Sequence, residues 1–336
     1  MIDVDATFPA VEVRDLVREF KGGIRAVDGL DLEVRAGEIY GFLGPNGAGK
    51  TTVVRILTTL LRPSAGRALV AGHDVVRDGD AVRRLIGVAL QEAAIDPLMT
   101  GRELLRMQGA LHGLRSAEAR ERASVLLERV GLTDAADRRV GGYSGGMRRR
   151  LDLALGLVHR PQVLFLDEPT TGLDPTSRAA LWREVRSLNA DGTTVFLTTQ
   201  YLEEAEQLAD RVGIIAKGRL MAEGTPRALK ARVGEPTVHV ELADAASADR
   251  ARDALAGIGR LEPPTERAPG RVALRAAAGT AAIAPVVRAL DDYGVEVESV
   301  ELEEPTLDDV FVAVTGSHLE GAAAPDAETE AAGAVG

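Results

Sequence analysis

The feature that most constrains this sequence is a glycine-rich segment that follows an apolar run and precedes a helical pattern. Residues 38–43 read EIYGFL, residues 44–52 read GPNGAGKTT, and residues 53–57 read VVRIL. This order predicts a strand, a loop and a helix. Glycines let the backbone pass close to phosphate oxygens, and the N–H groups at a helix N-terminus attract anions. The segment therefore predicts a phosphate-binding loop, made of Gly44, Pro45, Asn46, Gly47, Ala48, Gly49, Lys50, Thr51 and Thr52.

Two side chains of this loop and two acids farther along the chain suit phosphate chemistry. Lys50 supplies a fixed positive charge, and the Thr51 hydroxyl is a ligand for Mg²⁺. Residues 163–166 form an uninterrupted apolar run, typical of a central parallel strand, and Asp167 and Glu168 follow it directly. We expect Asp167 to hold the Mg²⁺ and Glu168 to polarise the attacking water. The sequence thus predicts a site that hydrolyses a nucleoside triphosphate.

Two further motifs accompany these residues. Residues 143–151 read YSGGMRRRL, and residues 171–175 read TGLDP. With all these motifs in this order, residues 11 to about 232 resemble the ABC ATPase family. The resemblance implies an α/β fold of the P-loop NTPase type, an ABC nucleotide-binding domain with a helical subdomain, and ATP and Mg²⁺ as cofactors. It also implies a dimer of this chain, because a Ser-Gly-Gly at a helix start is a second anion site, suited to the γ-phosphate of a facing subunit.

The resemblance also assigns roles to individual residues. Phe20 matches the aromatic residue that stacks on adenine, and Gln91 matches the glutamine that reaches Mg²⁺ and the lytic water. The nucleotide of the facing subunit would be contacted by Ser144, Gly145, Gly146 and Asp174.

The chain departs from the common family pattern at two positions. Met147 replaces the usual glutamine after Ser-Gly-Gly, and Gln200 stands where the family has a switch histidine. A glutamine amide can still hydrogen-bond a γ-phosphate, but it has no titratable proton. We therefore expect Gln200 to act with Glu168 in catalysis and turnover to be slow.

Three segments point to one branch of the family. Residues 143–150, 200–205 and 305–311 resemble the daunorubicin/doxorubicin-resistance ATP-binding subunits. That resemblance implies a homodimer beneath two copies of an integral-membrane permease, with the chain lying peripherally at the cytoplasmic face of the cell membrane. The exported cargo would be an antibiotic or another hydrophobic compound.

The composition limits which partners the protein can bind and in which cellular compartment it is expected. A formal net charge of −11 argues against nucleic-acid binding, because phosphate contacts need a basic stripe. The absence of cysteine excludes disulfides, thiolate metal sites and cysteine nucleophiles. No long apolar run could cross a bilayer as a helix, and residues 1–14 lack the pattern of a secretory signal. We expect a cytoplasmic protein that reaches the membrane through its permease.

The pattern of apolar residues predicts two domains and a tail. Residues 1–233 are expected to form the nucleotide-binding domain around a largely parallel sheet, with a helical subdomain at about residues 92–160. Residues 234–316 alternate short strand and helix patterns and are expected to form a small α+β domain. Residues 317–336 have almost no large apolar side chains and are expected to be disordered.

Local signals place the elements within these domains. Thr100 and Glu103 form a capping-box pattern that predicts the start of a helix in the helical subdomain. In the small domain the predicted strands are residues 237–242, 271–276 and 295–302, and the predicted helices are residues 245–258 and 280–293.

Two other functions fit part of the pattern. A soluble ABC ATPase that remodels a ribosome or DNA would usually have two nucleotide domains or a long coiled-coil insert, and this chain has neither pattern. An inactive nucleotide sensor would agree with Gln200, but Lys50, Asp167 and Glu168 are all retained. The exporter subunit is the function that the sequence favours.

Overall fold

The structure, a computed structural model, describes residues 9–90, 95–263 and 270–319. Its contacts divide the chain into two units: Met1–Pro226 together with the residues after Gly316, and Arg227–Gly316. This division falls after Pro226, somewhat earlier than the change of composition at Val233, because helix Pro226–Val233 lies almost entirely in the second unit. Of the tail predicted to be disordered, residues 317–336, positions 320–336 lie outside the described residues, and Leu319 is buried.

The strands of the first unit form two sheets. The larger sheet has the order β10-β9-β3-β8-β7-β6, and its strands are parallel except for β10. The other, antiparallel throughout, has the order β2-β1-β4-β5 and was not foreseen in the sequence. The strands are β1 (Val11–Phe20), β2 (Ile24–Val34), β3 (Ile39–Leu43), β4 (Ala65–Val70), β5 (His73–Asp74), β6 (Ile86–Ala89), β7 (Val163–Asp167), β8 (Thr194–Thr199), β9 (Arg211–Ala216) and β10 (Arg219–Gly224).

Helices cover the larger sheet and form the helical segment between β6 and β7. Thr100 caps the first helix of that segment, and the capping box with Glu103 is present, which confirms the sequence prediction. The helices of this unit are α1 (Lys50–Leu57), α2 (Gly79–Leu85), α3 (Gly101–Leu111), α4 (Ser116–Arg129), α5 (Gly145–Gly156), α6 (Pro175–Ala190) and α7 (Leu202–Leu208).

Two hydrophobic clusters lie against opposite faces of the parallel sheet. Along β7, Phe165 belongs to one cluster while Leu164 and Leu166 belong to the other, as the alternation of side chains in a strand requires. The cluster on the Leu164 side also contains Leu105 of α3 and Leu126 of α4. The helical segment and the sheet therefore share one continuous core.

The second unit has its own core and a four-stranded antiparallel sheet of order β12-β13-β11-β14. The predicted strand at residues 237–242 is confirmed. Both predicted helices are present but shorter: each begins with a 3₁₀ turn, and the first also ends early, at Leu255. Its elements are α8 (Pro226–Val233), β11 (Thr237–Leu242), α9 (Ala248–Leu255), β12 (Arg260–Leu261), β13 (Arg271–Arg275), α10 (Ile283–Asp292), β14 (Val297–Glu303) and α11 (Leu307–Thr315).

Candidate nucleotide-binding site

The glycine loop connects β3 to α1, as the sequence predicts. Gly49 has φ +107°, and a Cβ built on it would lie 2.2 Å from the carbonyl oxygen of Ala26. A Cβ on Gly44 would lie 2.4 Å from the carbonyl oxygen of Ile215. Backbone crowds the loop at both positions, so both require glycine. Packing thus fixes the two ends of the loop, while Asn46 between them is exposed.

Lys50 lies in the first turn of α1 with only 4% of its surface exposed. Its Nζ donates hydrogen bonds to the carbonyl oxygens of Gly44 (2.7 Å) and Pro45 (3.1 Å) and forms an ion pair with Glu168 Oε1 at 3.3 Å. Burial lowers the pKa of Lys50, and the carboxylates of Glu168 and Asp167 oppose that shift. The lysine is therefore a buried cation whose main charged partner is Glu168.

Asp167 is the last residue of β7 and is buried. Its Oδ1 accepts hydrogen bonds from Thr198 Oγ1 (2.6 Å) and Thr51 Oγ1 (3.3 Å), whereas its buried Oδ2 has no hydrogen-bond partner among the described residues. Hard cations such as Mg²⁺ prefer oxygen ligands of this kind. The Thr51 hydroxyl and the free Asp167 oxygen therefore fit the Mg²⁺ that the sequence predicts.

Glu168 has a strained backbone, with φ +48° at a residue that is not glycine. Its N–H is shared between the carbonyl oxygen and the hydroxyl of Thr198, each 3.1 Å away. The Thr171 hydroxyl lies 3.4 Å from Glu168 Oε2. Since Thr198 also holds Asp167, one threonine of β8 fixes both acids at the carboxyl edge of the sheet.

The other residues predicted for this side of the site are less constrained. Gln200 is half-buried and follows β8, whose Thr198 pairs in register with Asp167, so it leaves the sheet at the same edge as Glu168. Phe20 ends β1 with 39% of its surface exposed, and the Arg18 guanidinium lies 4.7 Å from its ring centroid. Gln91 lies outside the described residues.

The Ser-Gly-Gly motif begins α5 and faces outward. Ser144 is the N-cap, its Oγ accepts a hydrogen bond from the N–H of Met147 (3.2 Å), and both Ser144 and Gly145 are exposed. Gly146 is packed, since a Cβ there would lie 2.9 Å from Ser177 Oγ. Asp174 caps α6, and its hydrogen bonds from Ser177 lower its pKa.

Both domains of this chain are similar in sequence to known proteins. The ABC transporter family model matches residues 27–171, and the model of the DrrA1-3-like ATP-binding protein C-terminal domain matches residues 224–315. The daunorubicin resistance ATP-binding protein DrrA2 of Streptomyces coeruleorubidus is 51% identical over 91% of this chain and 95% of its own length.

The chain belongs to the ABC transporter family.

Other members of the ABC family agree with this assignment. The linearmycin resistance ATP-binding protein LnrL of Bacillus subtilis is 33% identical, over 90% of this chain and 97% of its own length. The structure of the dimeric cassette MJ0796 bound to ADP and Pi matches with a TM-score of 0.60 and 26% identity, over 64% of this chain and 98% of that one. This protein is therefore an ATP-hydrolysing subunit of the ABC type, with a P-loop domain followed by the DrrA-like domain.

A buried ion pair on the Ser-Gly-Gly helix of this ABC protein was not predicted from the sequence. Arg149 Nη1 lies 3.4 Å from Asp152 Oδ2, and both side chains are 12% exposed. Burial raises the pKa of Asp152 to about 7, although Arg149 opposes the shift. The spacing of three residues on α5 was visible in the sequence, but the burial of the pair was not.

Asp152→Asn is expected to stabilise the fold at alkaline pH. The folded pKa is raised above the ordinary value, so the wild type loses stability as the pH rises from about 4 through 7, and the full cost is present above pH 7. A shift of about three pH units corresponds to at most about 4 kcal/mol. Thermal melts at pH 5 and pH 8 measure the difference, which should be larger at pH 8. A variant equally stabilised at both pH values would contradict the raised pKa.

Proposed function

We propose that this chain is the ATPase subunit of an antibiotic exporter and works as a homodimer beneath a separate permease. The observation that carries the proposal is the buried arrangement in which Lys50 meets Glu168 and Thr51 meets Asp167. These contacts gather a phosphate-binding cation, a hydroxyl and two carboxylates at one sheet edge. Such a group suits phosphoryl transfer to water, in which positioning and charge stabilisation supply most of the catalysis.

Each of these side chains has a task in ATP hydrolysis. Lys50 binds the β- and γ-phosphates, and its two bonds to loop carbonyls can pass to phosphate oxygens. Glu168 orients the attacking water, and Gln200 donates a hydrogen bond to the γ-phosphate. Mg²⁺, when bound by Thr51 and Asp167, would neutralise charge on the phosphates.

The homodimer follows from the outward-facing start of α5. Ser144 and Gly145 are exposed, and the first N–H groups of a helix bind anions well. Each chain would place these groups against the nucleotide held by the phosphate loop of its partner. The dimeric ABC cassette MJ0796, with ADP and Pi bound, offers a precedent among the structural neighbours.

The cargo and the permease are proposed from the relatives. The names of the relatives refer to resistance to daunorubicin, doxorubicin and linearmycin. Among the described residues no helix has the length and apolarity that a membrane span requires. We assign the membrane path to a separate permease and the cargo to hydrophobic antibiotics.

Mg²⁺-ATP is expected to bring two copies together. In size-exclusion runs, Glu168→Gln should slow hydrolysis and trap a dimer. Adding Ser144→Arg should return the protein to monomer, because a bulky cation would occupy the place of the facing nucleotide. Ser116→Arg, which changes an exposed serine at the start of α4, is the matched control and should leave the dimer intact.

The same variants test export. Cells that express the wild-type chain with its permease should accumulate less doxorubicin, and Ser144→Arg should abolish the effect while Ser116→Arg retains it. The proposed function fails if Glu168→Gln stays monomeric at every concentration with the permease present. Unchanged accumulation of doxorubicin, with dimerisation intact, would reject doxorubicin as a cargo and leave the ATPase assignment standing.

A further inference from the structure

The guanidinium of Arg149 joins the Ser-Gly-Gly helix to the segments around Asp167 and Glu168. Arg149, in the second turn of α5, donates hydrogen bonds to the backbone carbonyls of Leu90 (2.5 Å), Asp167 (2.8 Å) and Pro169 (2.9 Å). The planar fork of arginine can reach several acceptors at once, which an amine on a flexible chain cannot do with the same geometry. The start of α5 is therefore tied to the ends of two segments of the catalytic domain.

The charge of Arg149 is held in a buried acidic environment. Burial lowers its pKa, and the carboxylates of Asp152, Asp167, Glu204 and Glu168 raise it. A buried cation is stable only where charges and hydrogen bonds compensate the lost hydration. Removing the guanidinium would take one hydrogen-bond donor from each of three carbonyls and one positive charge from these acids.

Two of the three carbonyls that Arg149 contacts belong to the residues on either side of Glu168. Asp167 and Pro169 are its neighbours in the chain, so Arg149 holds the carbonyl of the residue before and of the residue after the one with φ +48°. Thr198 holds the N–H of Glu168. A cavity of about 280 Å³, lined by Glu168 and Arg149 among others, gives the loop room to shift if the fork is lost.

We infer that Arg149 is a positioning residue that couples the two nucleotide sites of the dimer within one chain. The inference rests on the proposed function, in which Ser144 touches the nucleotide of the partner and Glu168 acts on the nucleotide of its own chain. Arg149 lies five positions after Ser144, the N-cap of the same helix, so a shift of α5 on closure reaches the carbonyls beside Glu168. Engagement of the facing site then shifts the position of Glu168.

Arg149→Lys and Arg149→Gln test this coupling in the full-length protein. Lysine keeps the charge but loses the fork, and glutamine loses both. Misplacing a catalytic group by about 1 Å typically lowers the rate on the order of a hundredfold. We expect kcat to fall about tenfold in Arg149→Lys and about a hundredfold in Arg149→Gln. In both variants ATP affinity should stay within about threefold, and the Hill coefficient for ATP should fall toward one.

Arg122→Gln is the matched control. Arg122 is also partly buried and also donates to two backbone carbonyls, those of Leu157 and Val158, but these lie at the other end of α5. If Arg149 only stabilises the fold, Arg149→Gln and Arg122→Gln should both lower the melting temperature. Neither variant should then lower kcat while ATP affinity stays unchanged. If Arg149→Gln fails to fold, Arg149→Lys decides the question.

Wild-type kcat and cooperativity in Arg149→Lys would overturn the inference, as would a parallel loss of kcat and ATP affinity in either Arg149 variant. The failure of the proposed function is distinct, because it would appear in the Glu168→Gln protein as a missing ATP-dependent dimer. If the wild-type chain dimerises and hydrolyses ATP as proposed but Arg149→Lys changes neither kcat nor cooperativity, only the coupling is rejected.

Discussion

Glu168→Gln is expected to lower the rate of ATP hydrolysis about a thousandfold while ATP binds more tightly. Loss of a general base or water-orienting group typically costs between a hundredfold and ten-thousandfold. The gain in affinity has a separate cause. Glu168 Oε1 lies 3.3 Å from Lys50 Nζ, so in the proposed site the carboxylate would compete with a γ-phosphate for the same ammonium and repel it. Removing that charge should tighten ATP binding roughly tenfold, or about 1.4 kcal/mol.

Single-turnover hydrolysis and equilibrium ATP titration measure the two effects separately. Glu203→Gln makes the same chemical change on an exposed ion pair of α7, 3.5 Å from Arg178, where little energy is expected. It should leave both quantities unchanged. Turnover within tenfold of the wild type in Glu168→Gln would contradict its catalytic role, and weaker ATP binding would contradict the competition for Lys50.

Gln200→Ala is expected to lower kcat about a hundredfold with little change in ATP affinity. Its amide would donate to charge that develops on the γ-phosphate, and a lost donor of this kind typically costs on the order of a hundredfold. The backbone supports this placement, because β8 carries Gln200 to the edge where Thr198 holds both acids. Gln200→His should remain active, since histidine also donates a hydrogen bond.

Gln207→Ala is the control for this prediction. Gln207 is an exposed glutamine of α7, the helix that follows Gln200. Steady-state rates over a range of ATP concentrations separate kcat from the apparent affinity. Wild-type turnover in Gln200→Ala would show that the side chain is a bystander, and an equal loss in Gln207→Ala would point to damage of the helix.

Local signals predicted much of this protein. The strand before Gly44, the helix that begins at Lys50 and the apolar strand that ends in Asp167 depend on short-range patterns, and the structure has all three. The capping box at Thr100 is likewise complete within four residues. Features of this kind can be read from a single sequence because the residues that decide them are neighbours in the chain.

Contacts between distant residues could not be predicted in the same way. Thr198 holds Asp167 and Glu168 from another strand, and nothing in its own neighbourhood distinguishes it from Thr199. Arg149 stands in a run of three arginines, and only the fold shows that it is the one directed at the carbonyls beside Glu168. The pairing of β1 with β4 in the antiparallel sheet was missed for the same reason, since these strands are far apart in sequence.

The shared core of the helical segment and the parallel sheet bears on how this protein can be recombined with its relatives. Leu105 and Leu126 of the helices pack in one cluster with Leu164 and Leu166 of β7. If the helical segment of a relative replaced that of this protein, its side chains would pack against β7 side chains that fit other helices. Each mismatch that opens a cavity would lower the free energy of unfolding by about 2–5 kcal/mol. Chimeras should therefore exchange the helices together with the strand residues that face them. The unit that can be exchanged is the pair of packed surfaces, not a continuous stretch of chain.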